Sequence, residues 1–222
     1  AMTQPAILTV AGSVERLLAN FLLQAGTVAE AARSELTVVS AVLDAAALDS
    51  CGRVQRNQSS RLRVVCLDVT HWLPACPSRS MYLFVKPLIF QEAVRASDHG
   101  VLMMDIDVIL YRDLLGWAAQ RWQTAQDPGR VLLMTGTEGG GCCNTGTVFA
   151  TKASLPLMAL WAEENVRWYK RDNLGDQRAL VEVVARNLTQ ANASRQQIYL
   201  IPKSAVLQEC QKCKCAGGCR KC

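Results

Sequence analysis

The segment Val101-Leu-Met-Met-Asp105-Ile-Asp107-Val-Ile-Leu110 places two carboxylates inside a run that is otherwise entirely apolar. An isolated buried carboxylate costs several kcal/mol of folding free energy unless it is paired or bound to a metal. In an extended chain, the side chains of Asp105 and Asp107 would point to the same side. Two like charges this close need a cation between them, or one of them must take up a proton. The segment therefore predicts a buried strand that ends in a cation site.

Carboxylate oxygens favour Mg²⁺ or Mn²⁺, which usually complete their shells with phosphate oxygens and water. The pattern indicates a metal–diphosphate clamp, and the alternative is a strand end with two solvated aspartates. Two chemistries use such a clamp: sugar transfer from a nucleotide sugar, and Mg²⁺-dependent phosphohydrolysis with Asp105 as the nucleophile. Haloacid dehalogenase-type phosphatases carry a second acidic pair on a later strand. No later Asp-Asp or Gly-Asp-x-x-x-Asp follows here, which favours sugar transfer.

Strand-like and helix-like patterns alternate along the chain. Apolar strands separated by helices predict a sheet buried on both faces, which is an α/β sandwich with mostly parallel strands. Ligands of such folds bind at the carboxyl ends of the strands. The predicted strands are 7–11, 36–43, 62–67, 101–104, 131–134, 145–150 and 198–201. The predicted helices are 14–25 (N-cap Ser13, stop Gly26), a short helix after Asp44, 81–96 with Pro87 as a kink or fresh start, 113–122, 154–169 and 176–186.

Length and charge favour a single globular domain over a nucleic-acid-binding or membrane-spanning protein. With 222 residues, half of them hydrophobic, the chain is typical of one globular domain. Residues 1–209 hold 20 basic and 19 acidic residues, so only the tail 210–222 is basic and we expect no nucleic-acid partner. No apolar stretch reaches the ~18 residues of a membrane span. No signal peptide is visible, so we expect any targeting segment to lie outside this chain.

Ten cysteines and three glycosylation sequons suggest an oxidising compartment. The sequons begin at Asn57, Asn187 and Asn192. We expect at least one disulfide among the five cysteines of the body, which are Cys51, Cys66, Cys76, Cys142 and Cys143. The other five lie in the Cys- and Lys-rich tail, for which a zinc site, disulfides and an unstructured basic segment all stay open.

Four blocks of the sequence recur, in this order, in a known family. They are the strand before Asp44 with Cys51 after it, the segment 100–114 with Asp105-Ile-Asp107, the strand containing Asn144-Thr-Gly146, and the helix 161–168 followed by Asp176-Gln177. Together they resemble the nucleotide-diphospho-sugar transferase family (glycosyltransferase family 77). The resemblance covers residues 7–205 and leaves out the tail.

The resemblance implies a GT-A fold, which is a Rossmann-like α/β/α sandwich, over the domain 1–209. It implies a divalent metal, commonly Mn²⁺, a nucleotide-sugar donor, a glycan or glycoprotein acceptor, retention of anomeric configuration and a Golgi-lumenal location. The residues that it places at the metal and the donor are Asp44, Lys86, Asp105, Asp107 and Gly146, with Asp105 and Asp107 on the metal. Those that it places at the transferred sugar or acceptor are Asn144, Asp176 and Gln177.

Most of these residues also have a purely structural explanation. Asp44 could cap the helix that follows it, and Asp176 could begin another. Lys86 could be a solvated helix residue, and Asn144 could stabilise a turn after the glycine-rich segment 136–143. Many GT-A enzymes supply a further metal ligand from a C-terminal His, but both histidines of this chain precede Asp105. A catalytically degenerate, glycosyltransferase-like binding module is therefore a further alternative.

Overall fold

The alternating pattern produces one sheet with helices on both faces. The computed structural model describes residues 4–12, 15–73, 79–110, 112–124, 132–136, 143–172, 176–190 and 198–201. The strands in these ranges are β1 (Ala6–Ala11), β2 (Leu36–Val42), β3 (Leu62–Asp68), β4 (Val101–Met104), β5 (Leu132–Gly136), β6 (Cys143–Ala150) and β7 (Ile198–Ile201). The helices are α1 (Glu15–Ala32), α2 (Ala45–Arg56), α3 (Arg79–Ala96), α4 (Leu114–Thr124), α5 (Leu155–Asp172) and α6 (Asp176–Gln190).

The strand order over the described residues is β3-β2-β1-β4-β6-β5-β7. Strand β6 is antiparallel to β4 and β5, and every other pairing is parallel. The prediction of a mostly parallel α/β sandwich is therefore confirmed. Because β6 alone runs the other way, its first residues lie at the same edge of the sheet as the carboxyl ends of β2, β1 and β4. This edge is the one at which such folds bind ligands.

Two apolar clusters, one on each face of the sheet, form the core. Ile7 and Leu102 face one cluster with α1, α2 and α4, whereas Leu8 and Met103 face the other with α3, α5 and α6. Adjacent residues of a strand point to opposite faces, which is why continuous apolar runs are buried here. Burying a side chain of this size contributes about 1.5–3 kcal/mol to stability. The second cluster also contains the fully buried Trp161 and positions the helices that carry the site.

Helix α1 continues past the stop predicted at Gly26, so that prediction was wrong. Val28 and Ala29 extend its buried face past Gly26, which outweighs the local preference of glycine for a helix end. The helix ends instead at Arg33, whose φ is 53°. The Ser34 amide donates to the carbonyl of Ala29 at 3.2 Å, which closes the helix end in the way that a glycine usually does.

Other predicted boundaries shift less. Helix α3 is a single helix that contains Pro87, so the fresh start left open by the sequence does not form. Strand β6 begins at Cys143, two residues before its predicted start. Predictions for Ser13, for residues 137–142 and for the boundary at 210 with its tail fall outside the described residues. Among the described helices, none is long and apolar enough to cross a membrane.

A disulfide joins Cys51 on α2 to Cys66 on β3, with the two Cα atoms 5.9 Å apart. It confirms the expected cross-link within the body of the chain. The two cysteines are 15 residues apart in sequence, so the bond closes a short loop in the unfolded chain as well. Such a cross-link stabilises the fold mainly by restricting the unfolded ensemble.

Replacing both cysteines, Cys51→Ala together with Cys66→Ala, should lower the free energy of unfolding by about 2–4 kcal/mol. The measurement is denaturant unfolding followed by circular dichroism. Wild-type protein in reductant is the control, because it loses the same cross-link without any change of side chain. Equal unfolding midpoints for oxidised and reduced wild type would contradict this prediction.

Candidate active site

The Asp105-Ile-Asp107 segment forms a turn at the carboxyl end of β4. The strand ends at Met104, and the amide of Val108 donates to the carbonyl of Asp105 at 3.1 Å. The expectation that Asp105 and Asp107 share one side of an extended strand was therefore wrong. The last residue pair between β4 and β6 is Met104 with Thr147, and the Asp105 amide makes one further hydrogen bond, of 2.8 Å, with the carbonyl of Gly146 on β6 before the chain turns. As a result Asp107 is exposed and Asp105 is partly buried, with 39% of its side chain accessible.

Lys86 joins two of the predicted carboxylates. Its Nζ lies 2.7 Å from Oδ1 of Asp105 and 2.9 Å from Oδ2 of Asp176. The side chains of Lys86 and Asp176 are each 6% exposed. Three elements that are distant in sequence thus meet: α3 supplies the lysine, the turn after β4 supplies Asp105, and the first residue of α6 supplies Asp176. We call this group the Lys86 bridge.

The charges of the bridge depend on one another. Burial by itself lowers the pKa of Lys86, but the carboxylates of Asp105 and Asp176 outweigh burial and raise it above its ordinary value. Burial raises the pKa of Asp105, and the nearby Asp176 and Asp107 carboxylates add to this rise, whereas Lys86 opposes it. The ammonium of Lys86 therefore remains charged, and it offsets much of the repulsion between carboxylates that would otherwise favour protonation.

Asp176 is held by its backbone as well as by its side chain. The indole Nε1 of Trp161 on α5 donates to the carbonyl of Asp176 at 2.8 Å. Trp161 is itself fully buried and packs edge-on against Phe90 of α3. The start of α6 is therefore fixed against two other helices. Asp176 begins a helix, as one of the sequence explanations had it, and it also belongs to the ion bridge.

Two predicted site residues, Asn144 and Gly146, belong to β6, and the backbone of Gly146 contacts the turn. Gly146 is buried and accepts the hydrogen bond from Asp105, and Asn144 pairs with Thr135 of β5. The role predicted for the Asn144 side chain falls outside what the structure describes. Gln177 follows Asp176 on α6 and is half-buried. The fold thus brings the backbones of these residues to the edge that carries the Lys86 bridge.

Asp44 caps helix α2, which was one of its two predicted roles. Its Oδ1 accepts a hydrogen bond of 2.8 Å from the amide of Ala47. Asp44 lies at the carboxyl end of β2, and β1 separates that strand from β4. Its position on the binding edge is compatible with a nucleotide contact, which stays a prediction. His99 precedes β4 and lies at the opposite edge of the sheet, away from the bridge.

One buried polar residue beside the site was missed by the sequence reasoning. Asn165 on α5 is 1% exposed, and its Nδ2 donates to carbonyl groups of α3. It lies one helical turn from Trp161 and from Trp168, so it is a polar residue on the apolar face of its helix. That break in an otherwise apolar stripe was the available signal.

A cavity beside the sheet does not include the predicted site residues. Its volume is about 1120 Å³, and it lies along the outer strands β2 and β3 beside α3. We therefore place the candidate site at the Lys86 bridge, where the charged groups converge.

Solved glycosyltransferase structures resemble this chain in fold. Mouse xyloside xylosyltransferase 1 in its apo form has a TM-score of 0.60 and 12% identity, over 91% of this chain and 86% of that one. The glycosyltransferase GlyE of Streptococcus pneumoniae TIGR4 has a TM-score of 0.57 and 12% identity, over 90% and 46%. The galactosyltransferase LgtC, in complex with donor and acceptor sugar analogues, has a TM-score of 0.52 and 13% identity, over 89% and 73%.

No protein-family model and no curated protein sequence matches the chain. At identities this low the structural similarity establishes the fold alone. That fold is the GT-A fold, which confirms the expected architecture, whereas membership of glycosyltransferase family 77 itself stays a prediction.

Removing the cation of the bridge should destabilise the protein strongly. In Lys86→Met the buried Asp176 carboxylate loses its partner, and we expect the free energy of unfolding to fall by about 3–5 kcal/mol. Denaturant unfolding measures this change. Adding Asp176→Asn removes the uncompensated charge and should recover part of the loss.

The matched control is Lys152→Met. Lys152 forms an exposed ion pair with Asp98, and the solvent screens such pairs, so we expect little change in stability. An equal loss in both variants would mean that the Lys86 bridge has no special energetic role.

Proposed function

We propose that this chain is a metal-dependent glycosyltransferase. It moves a sugar from a nucleotide-sugar donor to a glycan or glycoprotein acceptor, with retention of anomeric configuration. The observation that carries the proposal is the Lys86 bridge on a GT-A fold: one buried ammonium group joins the first carboxylate of the Asp105-Ile-Asp107 turn to the carboxylate at the start of α6. The bridge lies at the carboxyl edge of the sheet, where ligands of such folds bind.

The groups in the turn fit Mn²⁺ or Mg²⁺. Asp105 and Asp107 offer only carboxylate oxygens, which these cations prefer, and both are at least partly accessible. In the described ranges no three His, Cys, Asp or Glu side chains cluster closely enough to hold a metal by themselves. We therefore assign the rest of the shell to diphosphate oxygens and water. A cation bound there supplies Lewis-acid stabilisation of the departing diphosphate.

The other residues bind and orient the donor in this proposal. Lys86 holds Asp105 at the turn, and the Gly146 backbone, which has no side chain to obstruct the donor, borders the sugar. Asp176, fixed by Lys86 and Trp161, orients a hydroxyl group of the sugar. The polar groups assigned to the remainder of the donor and acceptor are Asp44, Asn144 and Gln177.

Retention is assigned to front-face attack by the acceptor, assisted by the leaving phosphate. Asp176 is a carboxylate beside the turn, but its side chain is 6% exposed and paired with Lys86. A carboxylate that is both buried and ion-paired is poorly placed to attack an anomeric carbon. We therefore give Asp176 an orienting role and assign no covalent nucleophile.

The proposed location is the lumen of the Golgi or another part of the secretory pathway. The Cys51–Cys66 disulfide supports it, because such bonds persist in oxidising compartments. The sequon at Asn57 lies at the exposed end of α2, where a glycan would have room. The neighbour named a xyloside xylosyltransferase supports a glycosidic acceptor.

Binding of UDP should require Mn²⁺ and Asp107. Asp107→Asn keeps the size of the side chain but removes its charge, so it should weaken Mn²⁺-dependent UDP binding by about tenfold or more, a loss near 1.4 kcal/mol. Isothermal calorimetry with and without Mn²⁺ measures this. Asp98→Asn, which changes an exposed aspartate at the opposite edge, is the control and should bind normally.

Equal UDP binding without Mn²⁺ would refute the metal clamp. A screen of nucleotide sugars with Mn²⁺ then tests the class of reaction. Turnover of phosphomonoesters instead of nucleotide sugars would favour the phosphohydrolase with Asp105 as nucleophile. Metal-dependent nucleotide binding without turnover of any donor would favour a degenerate binding module.

Asp176 should matter for transfer more than for nucleotide binding. Asp176→Asn keeps the helix-start residue but removes the charge, so we expect Mn²⁺-dependent UDP binding to persist while kcat falls. A purely structural helix-start role predicts instead that Asp176→Ala loses about 0.5–2 kcal/mol of stability with unchanged kinetics. Melting temperature and turnover measured on both variants separate these outcomes. Normal transfer by an early-melting Asp176→Ala would exclude Asp176 from the site.

A further inference from the structure

Helix α3 contains a proline next to the lysine of the bridge. Pro87 has no amide hydrogen, so the carbonyl of Leu83, one turn earlier, cannot accept its usual helical hydrogen bond. The residue before a proline is also disfavoured in helical conformation, and that residue is Lys86. The helical turn that carries Lys86 is therefore less stable than a regular turn, because it lacks one backbone hydrogen bond.

Asn165 on the neighbouring helix α5 compensates for this gap. Its Nδ2 donates to the carbonyl of Phe84 at 3.0 Å and to that of Leu83 at 3.3 Å. Asn165 is 1% exposed, and its Oδ1 has no hydrogen-bond partner among the described residues. The contacts of this side chain are therefore made by its Nδ2 amide group, which donates to α3.

We propose that Asn165 is a positioning residue for Lys86. Its amide group replaces the hydrogen bond that Pro87 removes, and so fixes the turn of α3 from which Lys86 reaches Asp105 and Asp176. The position of this turn matters because the Nζ of Lys86 forms ion pairs with two carboxylates at once, and a rotation of the turn would lengthen at least one of them. The positioning of Lys86 by Asn165 is argued from these contacts alone. Its effect on sugar transfer rests on the proposed function.

A double-mutant cycle between Asn165 and Pro87 tests the positioning of Lys86. Asn165→Leu approximately keeps the side-chain volume but removes the amide donor. Pro87→Ala restores an amide hydrogen at position 87, which can donate to the carbonyl of Leu83. The readout is the rate at which a water-soluble acetylating reagent modifies Lys86 in the folded protein, measured by mass spectrometry. We expect Asn165→Leu to raise this rate about tenfold through local opening, but less than about twofold in the Pro87→Ala background.

Val38→Ala is the control for general loss of stability. Val38 is fully buried on the other face of the sheet, so its truncation should destabilise the protein without selectively exposing Lys86. If Asn165→Leu fails to fold but the double variant folds with Lys86 protected, the proposal is supported. Equal acceleration by Asn165→Leu in both backgrounds, no acceleration in either, or failure of the double variant to fold would overturn it.

The catalytic consequence has a separate readout. Asn165→Leu should lower kcat/KM for the sugar donor by a smaller factor than Lys86→Met does, and adding it to Lys86→Met should cause little further loss, because both act through the same ammonium group. Additive losses would overturn this part. If the wild type transfers no sugar, the proposed function fails, and the acetylation rates still decide whether Asn165 positions Lys86.

Discussion

The ion bridge at Lys86 is the interaction on which the rest of the site depends. Without an ammonium group between them, the partly buried Asp105 and the buried Asp176 would be two carboxylates that repel each other. With it, both can remain acceptors at the edge of the sheet where a ligand enters. The helices that carry Lys86 and Asp176 are held by the second apolar cluster, in which α3, α5 and α6 pack on one face of the sheet.

An ion bridge of this kind adds little net free energy to the stability of a fold. Desolvating an ion pair costs about as much as the pairing returns, and a well-packed apolar group would serve stability as well or better. The chain nevertheless surrounds the bridge with further buried polar contacts, from Trp161 to the start of α6 and from Asn165 to the interrupted turn of α3. The contact with Leu83 supplies a donor to the carbonyl whose helical partner Pro87 removes, and the contact with Asp176 fixes the first residue of α6. The result is a polar site of defined geometry inside an apolar layer, which is what orienting a charged ligand requires.

The sequence pattern predicted the strands and most helices correctly, because period and length are local properties. It failed where a tertiary contact outweighed a local preference. Gly26 reads as a helix stop, yet α1 continues because the residues after it still face the core. The Asp105-Ile-Asp107 segment reads as extended, yet it forms a turn in which the Val108 amide donates to the carbonyl of Asp105. Lys86 by itself reads as a solvated helix residue, although it lies in the apolar run 83–90, and only the packing of the helices buries it beside two carboxylates.

The sequence by itself determined the α/β class, the position of the carboxylates at strand and helix ends, and the candidate residues from the family resemblance. These follow from the alternation of apolar runs and from short motifs, each contained in a few consecutive residues. Only the tertiary structure decided that Lys86, Asp105 and Asp176 form one charged group and that Asn165 supports the turn bearing the lysine. The physical reason is that these contacts run between α3, α5, α6 and the end of β4. Their distances are set by how the helices pack on the sheet, which no local pattern encodes.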